Sequence, residues 1–263
     1  MSGPSEGPES PRTPEGGREG RSFMTLLEHL AELRRVVVSA LAAVLVATAV
    51  GWFFSERLLD IVVAPMRAAG QHVYFRAPAE AFMVRLKVAF FGGLLAVLPY
   101  VLARLYGFVL PGLYRRERRV GTPLIISSAL LFYGGVAFCF LVLVPQVVRI
   151  MLGFGTEMVQ PLIGIGPYIG FVAQLCLAFG LVFELPLVVM LLSWAGLVRP
   201  SALLRTWRYA VIIIVLMSAV LTPGPDVVSQ LVMAIPVTFL YLSSALLALL
   251  MTRRRAGRRP EDD

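Results

Sequence analysis

One carboxylic acid stands inside an otherwise apolar stretch, in Phe183-Glu184-Leu185-Pro186. An ionisable group at membrane depth is costly and by default marks a functional position. Pro186 has no N–H, so the carbonyl of Val182 loses its helical partner and the backbone bends there. Two uses fit Glu184: a wet point in a groove facing a protein partner, a proton or an ion, or a protonated carboxyl bonded to a neighbouring helix. A second group is His29-Leu30-Ala31-Glu32-Leu33-Arg34, preceded by Glu28. Glu28 and Glu32 are i,i+4 and share a helix face. Two acids are unusual at a surface that should prefer cations, which marks them as functional candidates, or they form a solvated face paired with Arg35; His29 alone reads as a packing residue. A third group is the loop from Phe108 to Arg119, where Arg115, Arg116, Arg118 and Arg119 surround Glu117. The arginines suit an ordinary cytoplasmic loop, and Glu117 is the residue that fits such a loop least. A fourth is Thr222, Ser229 and Gln230, polar groups that can bond either a helix arriving from outside the monomer or the nearby turn backbone.

Several chemistries are excluded. A P-loop needs a lysine in G-x-x-x-x-G-K-[ST], and the single lysine lies in Arg85-Leu86-Lys87-Val88. His29 and His72 are far apart and form no H-E-x-x-H zinc site. Cys139 and Cys176 lie in apolar runs without metal-ligand spacing and read as packed small residues. No G-x-S-x-G occurs, so the sequence is not that of an intramembrane enzyme, and no cofactor is expected. Arginines scattered in short loops do not make a nucleic-acid face.

The elements that must position these residues are membrane helices. Of 263 residues, 58% are hydrophobic and 15% charged, and mean hydropathy is +0.80. Soluble domains carry about 45–50% apolar and about 25% charged residues. The net charge is +8. Residues 1–21 read as a disordered cytoplasmic tail, and residues 252–263 as a charged one. Between them, 22–251 forms one membrane domain. Phe23, Leu26, Leu27, Leu30 and Leu33 predict a short amphipathic helix at the membrane surface, with Thr25 and Glu28 as a capping box. It runs into the first of six apolar runs, Val36 to Phe54. The others are about Phe82 to Phe108, Val120 to Val148, Pro167 to Ala195, Trp207 to Leu221 and Val227 to Met251. The fifth reaches only about 22 Å, against a hydrocarbon core of about 30 Å. With Thr222 to Asp226 as a tight turn, helices five and six form a hairpin that should thin the bilayer locally. With both termini inside, 18 arginines fall on cytoplasmic segments and four on outer ones, as the positive-inside rule demands. Arg85 and Lys87 sit near the outer end of helix two and can snorkel. The fold expected is an all-α polytopic membrane protein, six helices, N-in/C-in, in a cupped bundle.

In this order the motifs resemble the TatC family, receptor subunits of the twin-arginine protein translocase. His29 to Arg34 is similar to the family's H-L-x-E-L-R pattern. Ala64-Pro65 fits its first outer loop, and Phe108 to Arg119 its first cytoplasmic loop, with a P-x-L-Y-x-x-E-R core. Phe183 to Pro186 fits the helix-four motif. Leu221-Thr222-Pro223 with Asp226 and Ser229-Gln230 fits the turn after helix five. The family turn reads T-P-P-D, whereas here Gly224 separates the prolines. The resemblance implies a receptor in a bacterial cytoplasmic membrane that binds twin-arginine signal peptides of folded cargo. It assigns Glu32 and Glu117 as the recognising carboxylates, with Arg34, Glu28, His29 and Arg116 around them. It implies docking of TatA- and TatB-type single-span subunits near Glu184, Thr222, Asp226, Gln230 and Pro65, self-association in a receptor complex, and export driven by the proton-motive force. The alternative from the residues alone is a proton-coupled small-solute transporter with Glu184 as its titrating group. The absence of an internal repeat and a charge-free third helix count against it.

Overall fold

Backbone that leaves water must satisfy its N–H and C=O groups within itself, so the apolar runs form helices. A computed structural model describes residues 17–113, 118–153, 155, 162–194, 198, 200–221 and 227–256. For 17–29, 109–113, 118–122, 194, 200 and 251–256 it describes the backbone alone. The helices are α1 (Gly17–Phe53), α2 (Ser55–Ala68), α3 (Pro78–Leu113), α4 (Arg118–Phe138), α5 (Val144–Leu152), α6 (Ile165–Phe183), α7 (Leu185–Trp194), α8 (Pro200–Arg205), α9 (Trp207–Leu221) and α10 (Val227–Ala256). Among the described residues, five stretches are long and apolar enough to span a bilayer: Leu30–Phe53, Pro78–Phe108, Pro123–Leu152, Ile165–Ser193 and Val227–Leu250. Trp207–Leu221 is the shorter sixth. The chain is a polytopic all-α membrane protein.

Three features depart from the sequence reading. The amphipathic helix and the first span are one helix beginning at Gly17, ahead of the Ser22 boundary. Thr25 therefore lies inside a helix rather than at its start, because no proline or glycine stops the helix between Arg21 and Thr25. Residues 1–16 and 257–263 lie outside the described residues. The third span is not one α-helix. A π turn, Cys139–Leu143, joins α4 to α5, and the N–H of Val144 reaches back five residues to the Cys139 carbonyl. The outer segment after α1 is not an open loop. Leu58, Leu59, Val62, Val63 and Met66 recur at helical spacing, and α2 buries Val63 and Met66 against α3, α5 and α6. A two-residue parallel pair joins β1 (Val73–Tyr74) to β2 (Ile163–Gly164), in the register Val73↔Ile163 and Tyr74↔Gly164.

Small residues let the long helices approach. A Cβ on Gly93 of α3 would stand 2.6 Å from the Thr48 nitrogen of α1, and one on Gly51 would stand 2.9 Å from the Ala89 carbonyl oxygen. Between α4 and α6, a Cβ on Gly135 would lie 2.7 Å from the Phe179 carbonyl oxygen. Without a hydrophobic drive between helices in lipid, such backbone approach supplies the packing. Two apolar clusters result. One, around Val84, Val88, Leu143, Val147 and Ile169, fills the half of α3 nearer Pro78. The other, around Leu98, Leu102, Leu124, Phe132 and Leu187, fills the half nearer Leu113. The second cluster encloses the break between α6 and α7.

Candidate functional site

Helix α6 ends where Pro186 withholds its N–H, and α7 begins one residue after Glu184. The Glu184 N–H turns to the Leu181 carbonyl at 3.1 Å, three residues back. This tightening swings the Glu184 side chain between α3 and α4. Glu184 is 6% exposed. The Ser128 hydroxyl of α4 donates to Oε1 at 2.7 Å, and the Tyr106 hydroxyl of α3 donates to Oε2 at 3.2 Å. Glu184 thus ties three spans through two hydroxyl donors and has no basic partner among the described residues. Of the two uses open to it, bonding to neighbouring helices is the one present in this state. Sequence reasoning missed Ser128 and Tyr106. Each lies in an apolar run with nothing local to mark it as polar by need.

On α1, Glu32 and Arg34 are both exposed. Glu32 forms no ion pair among the described residues. A groove of about 550 Å³ runs along the same helix, lined by Ala31, Arg34, Arg35, Val38, Ser39 and Ala42. Beyond it on α3, Arg104 Nε donates to the Tyr100 hydroxyl at 3.0 Å, and the guanidinium carbon stands 5.2 Å from that ring's centre. Stacking holds the guanidinium flat against the helix. For Glu28 and His29 only the backbone of α1 is described. Arg116 and Glu117 lie outside the described residues, as do Thr222 and Asp226 with Gly224.

The remaining sequence candidates sit toward the outer end. Gln230 Nε2 donates to the Val215 carbonyl at 2.8 Å, so it ties α10 to α9. Pro65 is half-buried inside α2, close to its end. Glu184 and Gln230 belong to separate hydrogen-bond sets. A further acid, Glu80, holds the outer segments together. Its Oε2 accepts the Arg76 N–H at 2.6 Å and its Oε1 the Gly166 N–H at 2.9 Å. Pro78 at the first helical position and an acid two residues on were its sequence signal.

This arrangement of spans, breaks and termini has relatives. Residues 28–236 match the family described as Sec-independent protein translocase protein (TatC). The chain belongs to the TatC family. The Sec-independent protein translocase protein TatC of Carboxydothermus hydrogenoformans is 36% identical over 225 residues, covering 86% of this chain and 93% of that one. The TatC of Desulforapulum autotrophicum is 40% identical over 217 residues, 81% of this chain and 80% of that one. A crystal structure of the twin-arginine translocase receptor TatC superposes with a TM-score of 0.78 at 31% identity, covering 85% of this chain and 99% of that one. The chain is accordingly a multi-pass membrane subunit of the Sec-independent protein translocase. The solute-transporter reading of Glu184 gives way to this assignment.

Proposed function

We propose that this TatC chain is the receptor that binds twin-arginine signal peptides at the cytoplasmic face, and that Glu32 and Glu117 take the paired guanidinium groups. The observation that carries the reading is the exposed Glu32 side chain, without an ion pair among the described residues, next in sequence to Ala31 of the α1 groove. Guanidinium presents two parallel N–H groups to a carboxylate, and an ammonium cannot copy that fork. Arg34, with Glu28, His29 and Arg116, shapes the local field. The apolar part of the peptide then follows the concave face of the bundle.

TatA- and TatB-type single-span subunits dock near Glu184, Thr222, Asp226, Gln230 and Pro65. A partner reaching Glu184 must displace the Ser128 and Tyr106 hydroxyls. Both termini face the cytoplasm of a bacterial cell, receptor chains self-associate, and the proton-motive force drives export of folded cargo. The short α9 thins the bilayer beside the groove. The positive-inside distribution and the two bacterial relatives support the placement.

The test compares binding of a two-arginine and a two-lysine signal peptide to the purified full chain, with the Glu32→Ala/Glu117→Ala double variant alongside. A charge-assisted pair contributes about 1.5–3 kcal/mol, so the arginine peptide should bind roughly ten- to a hundredfold tighter. The double variant should erase that difference while keeping its thermal unfolding. Equal binding of both peptides to the unaltered protein would remove the mechanism.

A further inference from the structure

A groove of about 540 Å³ lies between α3, α6 and the outer end of α9, lined by residues that include Glu80, Lys87, Gln174, Val220 and Leu221. It sets three depths against one another. Leu221 is the last residue of α9. Lys87 lies nine residues along α3 from Pro78, and Gln174 nine residues along α6 from Ile165. Helix α9 thus ends in a groove whose other walls reach nine residues, about 13 Å, in from the outer ends of α3 and α6. Its 15 residues reach about 22 Å, so an undisturbed hydrocarbon core of about 30 Å would overtop it by about 8 Å.

Two polar side chains besides Glu80 stand in this groove. Lys87 is the only lysine in the chain. It is exposed, and it makes no ion pair among the described residues. Gln174 beside it is exposed too. Glu80 is not the counter-ion. It lies two turns nearer the rim, about 10 Å along the helix, and its oxygens accept the Arg76 and Gly166 N–H groups. An ammonium at hydrocarbon depth must find an anion or water. The hydrated point charge of lysine, with three rotatable donors, suits a phosphate.

We propose that Lys87 binds the phosphate of an outer-leaflet phospholipid, drawn into this groove where α9 falls short, with the Gln174 amide as a second donor. The headgroup fills the step left by the short helix, and its acyl chains lie against Phe171 and Val220, which line the same groove. Local thinning then has a specific anchor rather than resting on length mismatch alone.

A single lysine makes the test direct. The full chain, labelled with 15Nζ-lysine, is placed in phospholipid bilayers in phosphate-free buffer. Nitrogen–phosphorus recoupling by solid-state NMR then reads one side chain against one source of phosphorus. The expected result is strong dephasing of the single ammonium signal, at a distance of roughly 4 Å, an N–H···O contact of about 2.8 Å plus one P–O bond. A signal without dephasing would overturn the proposal and place Lys87 against a protein carboxylate or water. Equal dephasing in phosphorus-free glycolipid bilayers supplied with inorganic phosphate would also overturn it, because the site would then be one for free phosphate. Neither signal peptide nor partner subunit is needed, so failure here leaves the receptor reading standing.

Discussion

Glu184 is held by two hydroxyls rather than by a charge. Removing one partner of a buried polar pair leaves the other unsatisfied, at about 1–3 kcal/mol. Ser128→Ala, which deletes the 2.7 Å donor, should lower thermal stability in detergent by that amount. Glu184→Gln should be milder, because an amide can still accept from Ser128 and donate to the Tyr106 oxygen. Glu184→Leu should be worse than either, since it strands both hydroxyls. If Glu184→Leu unfolds with the unaltered protein, the hydrogen bonds contribute nothing measurable. The acid itself was apparent from Phe183-Glu184-Leu185-Pro186. Its donors were not, because they lie 56 and 78 residues away in sequence. A tyrosine or serine in an apolar run looks the same whether or not it faces an acid. Glu32 and Arg34 stood out by motif, while the sequence offered no measure of how open the α1 groove beside them is.

Helices α1 and α3 touch backbone to backbone, and that contact has no slack. Gly93→Ala would place a Cβ 2.6 Å from the Thr48 nitrogen, which no rotamer relieves. The helices must part, at about 1–3 kcal/mol. Gly134→Ala, where a Cβ meets nothing within 4 Å, should be neutral or stabilising by up to about 1 kcal/mol through helix propensity. Paired thermal-unfolding measurements in one detergent check the contrast, and equal shifts would contradict it. The outer segments give a second expectation. Glu80→Ala frees the Arg76 and Gly166 amides, so hydrogen exchange at Gly166 should speed up roughly tenfold or more, given about 1.5–3 kcal/mol for hydrogen bonds to a charged group. Six apolar runs could be read from the sequence because length and hydropathy decide a span. Helix α2 could not, although its Leu58-Leu59, Val62-Val63 and Met66 spacing was there. Its burial comes from three other helices, and its charges, Glu56 bonded to Arg85 at 2.6 Å and Asp60 to Arg67 at 2.9 Å, resemble those of a solvated loop.

Across the molecule, helix lengths are unequal, and the bilayer must conform to them. Adding one apolar turn before Leu221 would bring α9 to about 28 Å, close to the hydrocarbon thickness. If the short helix serves translocation by thinning lipid, the lengthened chain should bind signal peptide normally yet export cargo markedly more slowly, as read by transport into membrane vesicles. Unchanged export would separate helix length from function. The short α9 and the polar groove beside Lys87 adjoin one another, while the α1 groove lies toward the other end of the spans, so the proposed recognition site and the proposed lipid site are set apart along the helices.

The π turn at Cys139–Leu143 carries a consequence for how this sequence can change length. A π turn holds one residue more than the α-turn it replaces, yet the inward faces on its two sides, Phe132 and Phe138 before and Val147 and Val148 after, all pack into the core. The surplus residue is absorbed where it sits. Deleting Leu141, which is 69% exposed, would return the turn to α geometry without rotating either flank. A one-residue deletion elsewhere in the same span would turn everything beyond it by about 100°. An alignment gap in this helix should therefore fall between 139 and 143 and nowhere else.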